Sequence, residues 1–241
     1  MSEEKQQKLI LSIETATRAG SLALLRGNEI CAEWVGGGAT SHSNELLSEI
    51  DHLLRAAQVE IGEVDLLAAA TGPGSFTSLR VGLATLKGLR VALGQAVCGV
   101  ETLAAVAFGN LLFDSKNILV FPAGRAEVFV QQWENANQND VTALSPLQTK
   151  RWPEYLAEFL SENSLEQSIN WIVAPEKQSD ILEFIKLGQI ERWQVSHFPT
   201  NLAVSIGRIA SERFARGEIK SVARELSVVY GREVEIGRKA V

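Results

Sequence analysis

Residues 66–94 constrain the fold of this chain more than any other segment. They open with a short run of small and branched apolar residues, 66–70, which predicts a buried strand. Gly72-Pro73-Gly74 then ends the strand, because Pro73 fixes φ and Gly74 can take the positive φ that a type II turn needs. The apolar run after the turn predicts a helix. A strand, a glycine turn and a helix in this order predict an α/β protein.

The helix after this turn has two apolar sides. Leucines repeat along one side and small residues along the other, and only Arg80, Lys87 and Arg90 are charged. A helix of this kind must be covered twice. We therefore expect one face on the parent sheet and the small-residue face against another helix or another chain.

The turn and the start of the helix offer backbone N–H groups to an anion. No Lys follows the turn as in a P-loop, and the chain has no G-x-G-x-x-G dinucleotide motif here. Two interpretations stay open: a loop that binds an anion or nucleotide, and a tight strand-to-helix turn in which Ser75 or Thr77 caps the helix. The residues concerned are Gly72, Gly74, Ser75 and Thr77.

The order of predicted elements suggests two similar halves. The first half reads β-β-β-α-β-α-β-α, with a two-residue hairpin at Gly27-Asn28 and a helix over 44–57. The second half repeats the pattern more loosely. We therefore expect two mixed-sheet α/β lobes, residues 1–112 and 113–241. The predicted strands are 9–14, 21–26, 29–35, 66–70, 96–100, 117–121, 127–133 and 171–174, and later helices are expected at 153–160, 179–187 and 202–216.

Composition narrows the functional classes. The chain has 241 residues and a net charge of −6, which argues against a protein that binds RNA by itself through a strongly basic surface. Residues 208–241 carry 8 basic and 5 acidic side chains, so this C-terminal arm is basic. The polar start predicts a cytoplasmic protein with no membrane partner, and Cys31 and Cys98 are expected to be buried free thiols.

Residues 71–80, Thr-Gly-Pro-Gly-Ser-Phe-Thr-Ser-Leu-Arg, with Gly82 and Gly88 after them, resemble the G-x-G-P-G-S-F-T-G-L-R signature of the TsaB (YeaZ) family. The resemblance is close over residues 9–107 and weak beyond them, where two short segments, 122–129 and 226–232, are similar to segments of the family. It implies a glycoprotease-like protein of the duplicated actin-like and sugar-kinase-like (ASKHA, ribonuclease H-like) α/β fold. It also implies a partner subunit in making N6-threonylcarbamoyladenosine in bacterial tRNA.

The first hairpin is where actin-like ATPases face phosphate and magnesium. Glu14, Thr15 and Thr17 stand where the family usually has I-D-T-S-T, and a carboxylate beside hydroxyls suits hydrated Mg²⁺. The alternative is that the threonines bond the turn backbone. The resemblance implies no required cofactor and leaves weak binding of ATP or ADP with Mg²⁺ open.

The resemblance also implies a chain without catalytic or metal-binding residues. The catalytic paralogue TsaD has two histidines four apart on the helix after a G-V pair, where this chain has Thr102 and Val106. The competing hypothesis is a stand-alone ATP-dependent kinase or hydrolase, for which Glu14 is the sole candidate carboxylate. A glycoprotease-type peptidase is a third, and it lacks H-E-x-x-H and a defensible catalytic triad.

The family pairs through its first two helices, so the resemblance implies a partner surface there. Expected partners are a TsaD-type protein as a heterodimer and a TsaE-type ATPase, with tRNA bound only within the complex. A homodimer of the isolated chain stays open. Small residues let two helices approach closely, but the same positions could be intramolecular core. The predicted interface residues are His42, Ile50, Leu54, Val81, Ala84, Thr85, Gly88 and Ala92.

Overall fold

The computed structural model describes residues 7–37, 45–124, 126–137, 140–162, 166–188 and 190–219. Its first five strands form one sheet in the order β3-β2-β1-β4-β5. β1 pairs with β2, and β2 with β3, in antiparallel fashion, whereas β1, β4 and β5 run parallel. The strands are β1 (Leu9–Glu14), β2 (Ser21–Arg26), β3 (Glu29–Val35), β4 (Leu66–Gly72) and β5 (Ala96–Glu101), and the helices between them are α1 (Leu46–Ala56), α2 (Phe76–Leu93) and α3 (Thr102–Ala107).

The second sheet repeats this topology. Its order is β11-β10-β6-β7-β8, with β9 also paired to β7. β6, β7 and β8 are antiparallel, and β6, β10 and β11 are parallel. Two sheets with the same order and directions confirm the predicted duplication. The elements are β6 (Lys116–Gly124), β7 (Glu127–Asn137), β8 (Asp140–Ala143), β9 (Gln148–Arg151), α4 (Trp152–Glu162), β10 (Ile169–Val173), α5 (Pro175–Gly188), β11 (Trp193–Ser196) and α6 (Leu202–Ala215).

Helices cover both faces of the first sheet. α1 and α2 lie on one face, where their leucines join the alternate leucines of β1 and β2 in one buried cluster. α3 and α6 lie on the other face, in a cluster that also takes side chains from β6, β7 and β10. α6 follows the second sheet in the chain but packs on the first, so one continuous core joins the two halves.

A chain of buried amides fixes the connection between α3 and β6. The Asn117 amide nitrogen donates to the carbonyls of Leu112 and Ser115 at 3.0 and 3.1 Å, and its oxygen accepts from the Leu112 amide at 2.9 Å. Asn170 on β10 donates to the same Asn117 oxygen at 2.8 Å and accepts from Ser196 Oγ on β11 at 2.6 Å. Because each amide is hydrogen-bonded, the burial of these polar side chains is compensated.

Most predicted elements are confirmed, with bounds that shift by a few residues. The strands β8, β9 and β11 were not predicted. The expected type II turn is wrong, because the Gly72–Pro73 peptide is cis and Gly74 has φ of +159°, far from the value near +80° of that turn. Cys98 is buried as expected, but Cys31 is exposed, because it lies on edge strand β3. The division into domains at 112 and 113 stays a prediction.

Candidate functional site

The first candidate site is the turn between β1 and β2, which folds around the Glu14 carboxylate. Glu14 Oε1 accepts the Thr17 amide at 2.6 Å. Oε2 accepts the Thr17 hydroxyl at 2.8 Å and the Ser21 hydroxyl at 3.3 Å. Thr17 Oγ1 in turn accepts the Gly20 amide at 3.1 Å. Glu14 is therefore bound by its own hairpin, an arrangement that does not favour the predicted contact with Mg²⁺ or nucleotide.

Burial changes the acidity of this carboxyl group. Glu14 is only 2% exposed. Loss of hydration raises the pKa of Glu14, and the hydrogen bonds from Thr17, Ala16 and Ser21 oppose that rise without cancelling it. The folded hairpin thus holds a proton more tightly than an exposed glutamate does.

The turn between β4 and α2 packs directly on this hairpin. The Ser75 amide donates to the Ala16 carbonyl at 3.0 Å, and a Cβ at Gly74 would lie 2.6 Å from Ala16 Cβ. A Cβ at Gly82 would overlap Thr15 Oγ1. Gly74 and Gly82 are therefore required for close packing of this turn and of α2 on the first hairpin.

The first turn of α2 is not capped by a side chain. Ser75 occupies the N-cap position, but its hydroxyl pairs with the Ser78 hydroxyl at 2.9 Å instead of accepting a backbone amide. Thr77 is exposed within the first turn and is not the cap. The Arg80 guanidinium lies 3.7 Å from the centre of the Phe76 ring, so a cation–π pair flanks the helix start.

The second candidate site is the outward face of α2. Ala84, Gly88 and Ala92 are exposed there, and a Cβ at Gly88 would meet no atom within 4 Å. Val81 and Thr85 are half-buried beside this face. The small-residue side of α2 is thus uncovered by the described residues.

The predicted interface needs corrections on α1. Ile50 and Leu54 are 3% and 5% exposed, because they pack against the first sheet, so their assignment to an interface is wrong. Sequence reasoning missed two exposed apolar residues, Leu47 at 62% and Val91 at 86%. The position of Val91, three residues after Gly88 and on the same side of the helix, was the available signal. His42 lies outside the described residues.

Possible metal ligands do not cluster in the described part of the chain. No group of three or more His, Cys, Asp or Glu there could hold an ion. Thr102 and Val106 are buried in α3, and the Thr102 hydroxyl has no hydrogen-bond partner. Neither side chain can replace imidazole. No helix in the described ranges is long and apolar enough to cross a membrane.

Comparisons with known proteins agree with this architecture. Residues 37–150 match the family described as "TsaD: tRNA N6-adenosine threonylcarbamoyltransferase". The protein named tRNA threonylcarbamoyladenosine biosynthesis protein TsaB of Bacillus subtilis is 27% identical over 151 residues, 62% of this chain and 66% of the relative. Its Haemophilus influenzae namesake is 34% identical over 130 residues, 53% of this chain and 54% of the relative. The chain thus spans between about half and two thirds of these curated relatives.

A solved structure extends the likeness to nearly the whole fold. An uncharacterized protein with similarity to peptidase YeaZ from Pseudomonas aeruginosa superposes with a TM-score of 0.70 at 24% identity, covering 93% of this chain and 100% of that one. The two equivalent sheets and this likeness define the chain as an α/β protein of the duplicated actin-like fold. Within that class it is related to the TsaB (YeaZ) proteins.

Proposed function

We propose that this chain acts in the synthesis of N6-threonylcarbamoyladenosine in tRNA, as a non-catalytic subunit that binds a TsaD-type threonylcarbamoyltransferase. The observation that carries the proposal is the uncovered small-residue face of α2, on a chain related to proteins named for this pathway. The proposed assembly includes a TsaE-type ATPase and holds tRNA only as a complex. It is cytoplasmic, and nucleotide binding by this chain is at most weak.

The α2 face has the properties of a helix-docking surface. Ala84, Gly88 and Ala92 recur at intervals of four residues, so they form one stripe along the helix. A second helix can approach such a stripe closely, because few side-chain atoms separate the two backbones. Val91 next to the stripe, and Leu47 on α1, supply exposed apolar area that a partner would bury.

The state of the first hairpin supports the non-catalytic part of the proposal. A stand-alone kinase or hydrolase of this fold needs a carboxylate facing the phosphates and metal. Glu14, the sole candidate, accepts three hydrogen bonds from Thr17 and Ser21 instead. Phosphoryl transfer by this hairpin would require those bonds to break.

Light scattering after size-exclusion chromatography tests the proposal. The wild-type chain, Gly88→Trp and Gly62→Trp would each be mixed with the TsaD-type protein of the same organism. Gly62 is the matched control, because a Cβ there also meets no atom within 4 Å but the residue lies in the 3-10 turn Ile61–Glu63 and not on α2. We expect wild type and Gly62→Trp to form a heterodimer and Gly88→Trp to remain apart.

Two results would contradict the proposal. The first is no complex between the wild-type chain and the TsaD-type protein, with both folded by circular dichroism. The second is ATP hydrolysis by the isolated chain at a rate that Glu14→Gln abolishes, which would favour the stand-alone enzyme.

A further inference from the structure

We propose that the first hairpin is a built oxyanion site whose ligand is the chain's own Glu14 carboxylate. The donors come from both sides of the turn: the Thr17 amide and hydroxyl, and the Ser21 hydroxyl at the start of β2. Amide and hydroxyl groups converging on one point of a turn are the means by which proteins hold phosphate and carboxylate ions. In this chain they hold the carboxylate of Glu14, three residues before Thr17. This inference is independent of the proposed partner.

Three elements enclose the bound carboxylate. Ser21, which donates to Glu14, also accepts the amide of Ala203 at 3.1 Å, in the first turn of α6. The Ser21 hydroxyl therefore links the carboxylate to the N-terminal end of α6, which is the positive end of the helix dipole. From the other side, Gly74 and Gly82 bring the β4–α2 turn and α2 against Ala16 and Thr15. These elements cover the hairpin, and Glu14 is only 2% exposed within it.

The length of the side chain explains how the carboxylate reaches these donors. The residue lies at the end of β1, and its Oε1 accepts an amide three residues further along the chain. An Asp carboxylate at the same Cα would end roughly 1.5 Å earlier, the length of one carbon–carbon bond. The Glu14 side chain thus folds back onto the hairpin that it belongs to.

The occupied hairpin has a consequence for nucleotides. A phosphate group placed against the Thr17 amide would need the donors that Glu14 already uses. The wild-type hairpin therefore rejects free anions, and removal of the carboxylate opens a site for a small oxyanion.

Chemical rescue tests this assignment. We would measure the melting temperature of wild type, Glu14→Gln, Glu14→Ala and the double variant Glu14→Ala/Thr17→Val in sodium formate, sodium phosphate and sodium chloride of equal ionic strength. Formate supplies the missing carboxylate to Glu14→Ala, so its melting temperature should rise by about 3 °C or more between chloride and 0.1 M formate. Glu14→Gln keeps the hairpin filled and should not respond. The double variant lacks the Thr17 hydroxyl and should respond less than Glu14→Ala.

The assignment is overturned by either of two results: Glu14→Ala gains no more from formate and phosphate than from chloride, or wild type gains as much as Glu14→Ala. Where Glu14→Ala does not fold in chloride, its refolding yield in formate is measured in place of the melting temperature. Recovery of circular dichroism in formate but not chloride supports the site, and equal failure in both overturns it. The Thr17 amide resonance gives a second readout, because the rescuing anion should shift it.

Discussion

Gly207 in α6 faces the side chain of Leu25 in β2 so closely that a Cβ at residue 207 would overlap Leu25 Cδ1. The same Cβ would lie 3.0 Å from Ser12 Oγ on β1. α6 therefore reaches the first sheet through the absence of a side chain at one position. Gly88, in the interior of α2, has open space in the corresponding direction.

These two helical glycines should respond to alanine in opposite ways. Gly207→Ala should lower the free energy of unfolding by about 1–3 kcal/mol, because Leu25 is fully buried and has little room to move. Gly88→Ala should raise it by about 0.5–1 kcal/mol, since alanine is the better helix former and meets no neighbour. Urea unfolding followed by circular dichroism measures both. Equal changes of the same sign would show that α6 does not pack as described.

The raised pKa of Glu14 predicts a pH dependence of stability. Between the ordinary glutamate pKa and the higher folded-state pKa, the folded chain holds more protons than the unfolded chain. The contribution of Glu14 is therefore fully present at pH values below the ordinary pKa and is lost as the pH rises through the folded-state pKa.

Glu14→Gln should remove this dependence while keeping the shape of the side chain. As the pH rises from about 4.5 toward neutrality, wild type should lose free energy of unfolding that the variant keeps, so the difference should shift in favour of the variant. Urea titrations at a series of pH values supply the comparison, with Glu101→Gln, an exposed carboxylate at the end of β5, as the control expected to follow wild type. Parallel wild-type and Glu14→Gln curves would refute the prediction.

The buried amide chain should be most sensitive at Asn117. Asn117→Ala removes the side-chain partner of the Leu112 amide and of the Leu112 and Ser115 carbonyls, at about 1–3 kcal/mol for each unsatisfied group. It also removes one of the two acceptors of the Asn170 side-chain amide, which keeps its bond to the Asn110 carbonyl. We expect a total loss of about 3 kcal/mol or more. Ser196→Ala removes only the hydrogen bond to Asn170, the last bond of this network, and should lower the free energy of unfolding by about 1 kcal/mol. Hydrogen exchange of residues 110–115 should accelerate in Asn117→Ala only, and acceleration in both variants would contradict this ranking.

Exposed and buried residues of the first two helices should separate stability from partner binding. Val91→Asp should change the free energy of unfolding by no more than about 0.5 kcal/mol and should weaken the proposed complex, because the side chain is exposed beside the small-residue stripe. Leu54→Ala should cost about 2–5 kcal/mol and leave binding intact below its melting temperature. Calorimetric unfolding measures the stability of both variants, and light scattering with the TsaD-type protein measures their binding. A Val91→Asp chain that binds as tightly as wild type would exclude this part of α2 from the interface.

The sequence predicted the elements whose hydrophobic pattern is strong. β1, β2 and β3 lie at the predicted residues 9–14, 21–26 and 29–35 around the Gly27-Asn28 turn, and the glycine signature marks a strand, a turn and a helix. β8, β9 and β11 have four residues each, too short for a period to be read, and pairing with β7 or β10 determines them. Contacts between elements, not local propensity, decide such strands.

The candidate site was less predictable, because the role of each residue depends on where its side chain points, and one sequence does not give that direction. A ligand contact at Glu14 and Thr17 was one of two alternatives that the sequence left open, and their spacing of three residues also allows a bond between them. Ile50 and Leu54 fall on a helix face that periodicity marks as apolar, and no pattern in one sequence says whether an apolar face meets the sheet or a partner. Gly74 and Gly82 carried the strongest sequence signal, and their reason is a close approach that only the folded chain reveals.

The position of α6 also affects how the chain is made. The last strand of the first sheet ends at Glu101, and α6, which covers one face of that sheet, begins at Leu202. At a synthesis rate of about 5–20 residues per second, that apolar face leaves the ribosome roughly 5–20 s before its cover does. The nascent chain is therefore a candidate client for chaperones during that interval. A stalled or truncated product that ends before α6 should aggregate, although all five strands of the first sheet are complete.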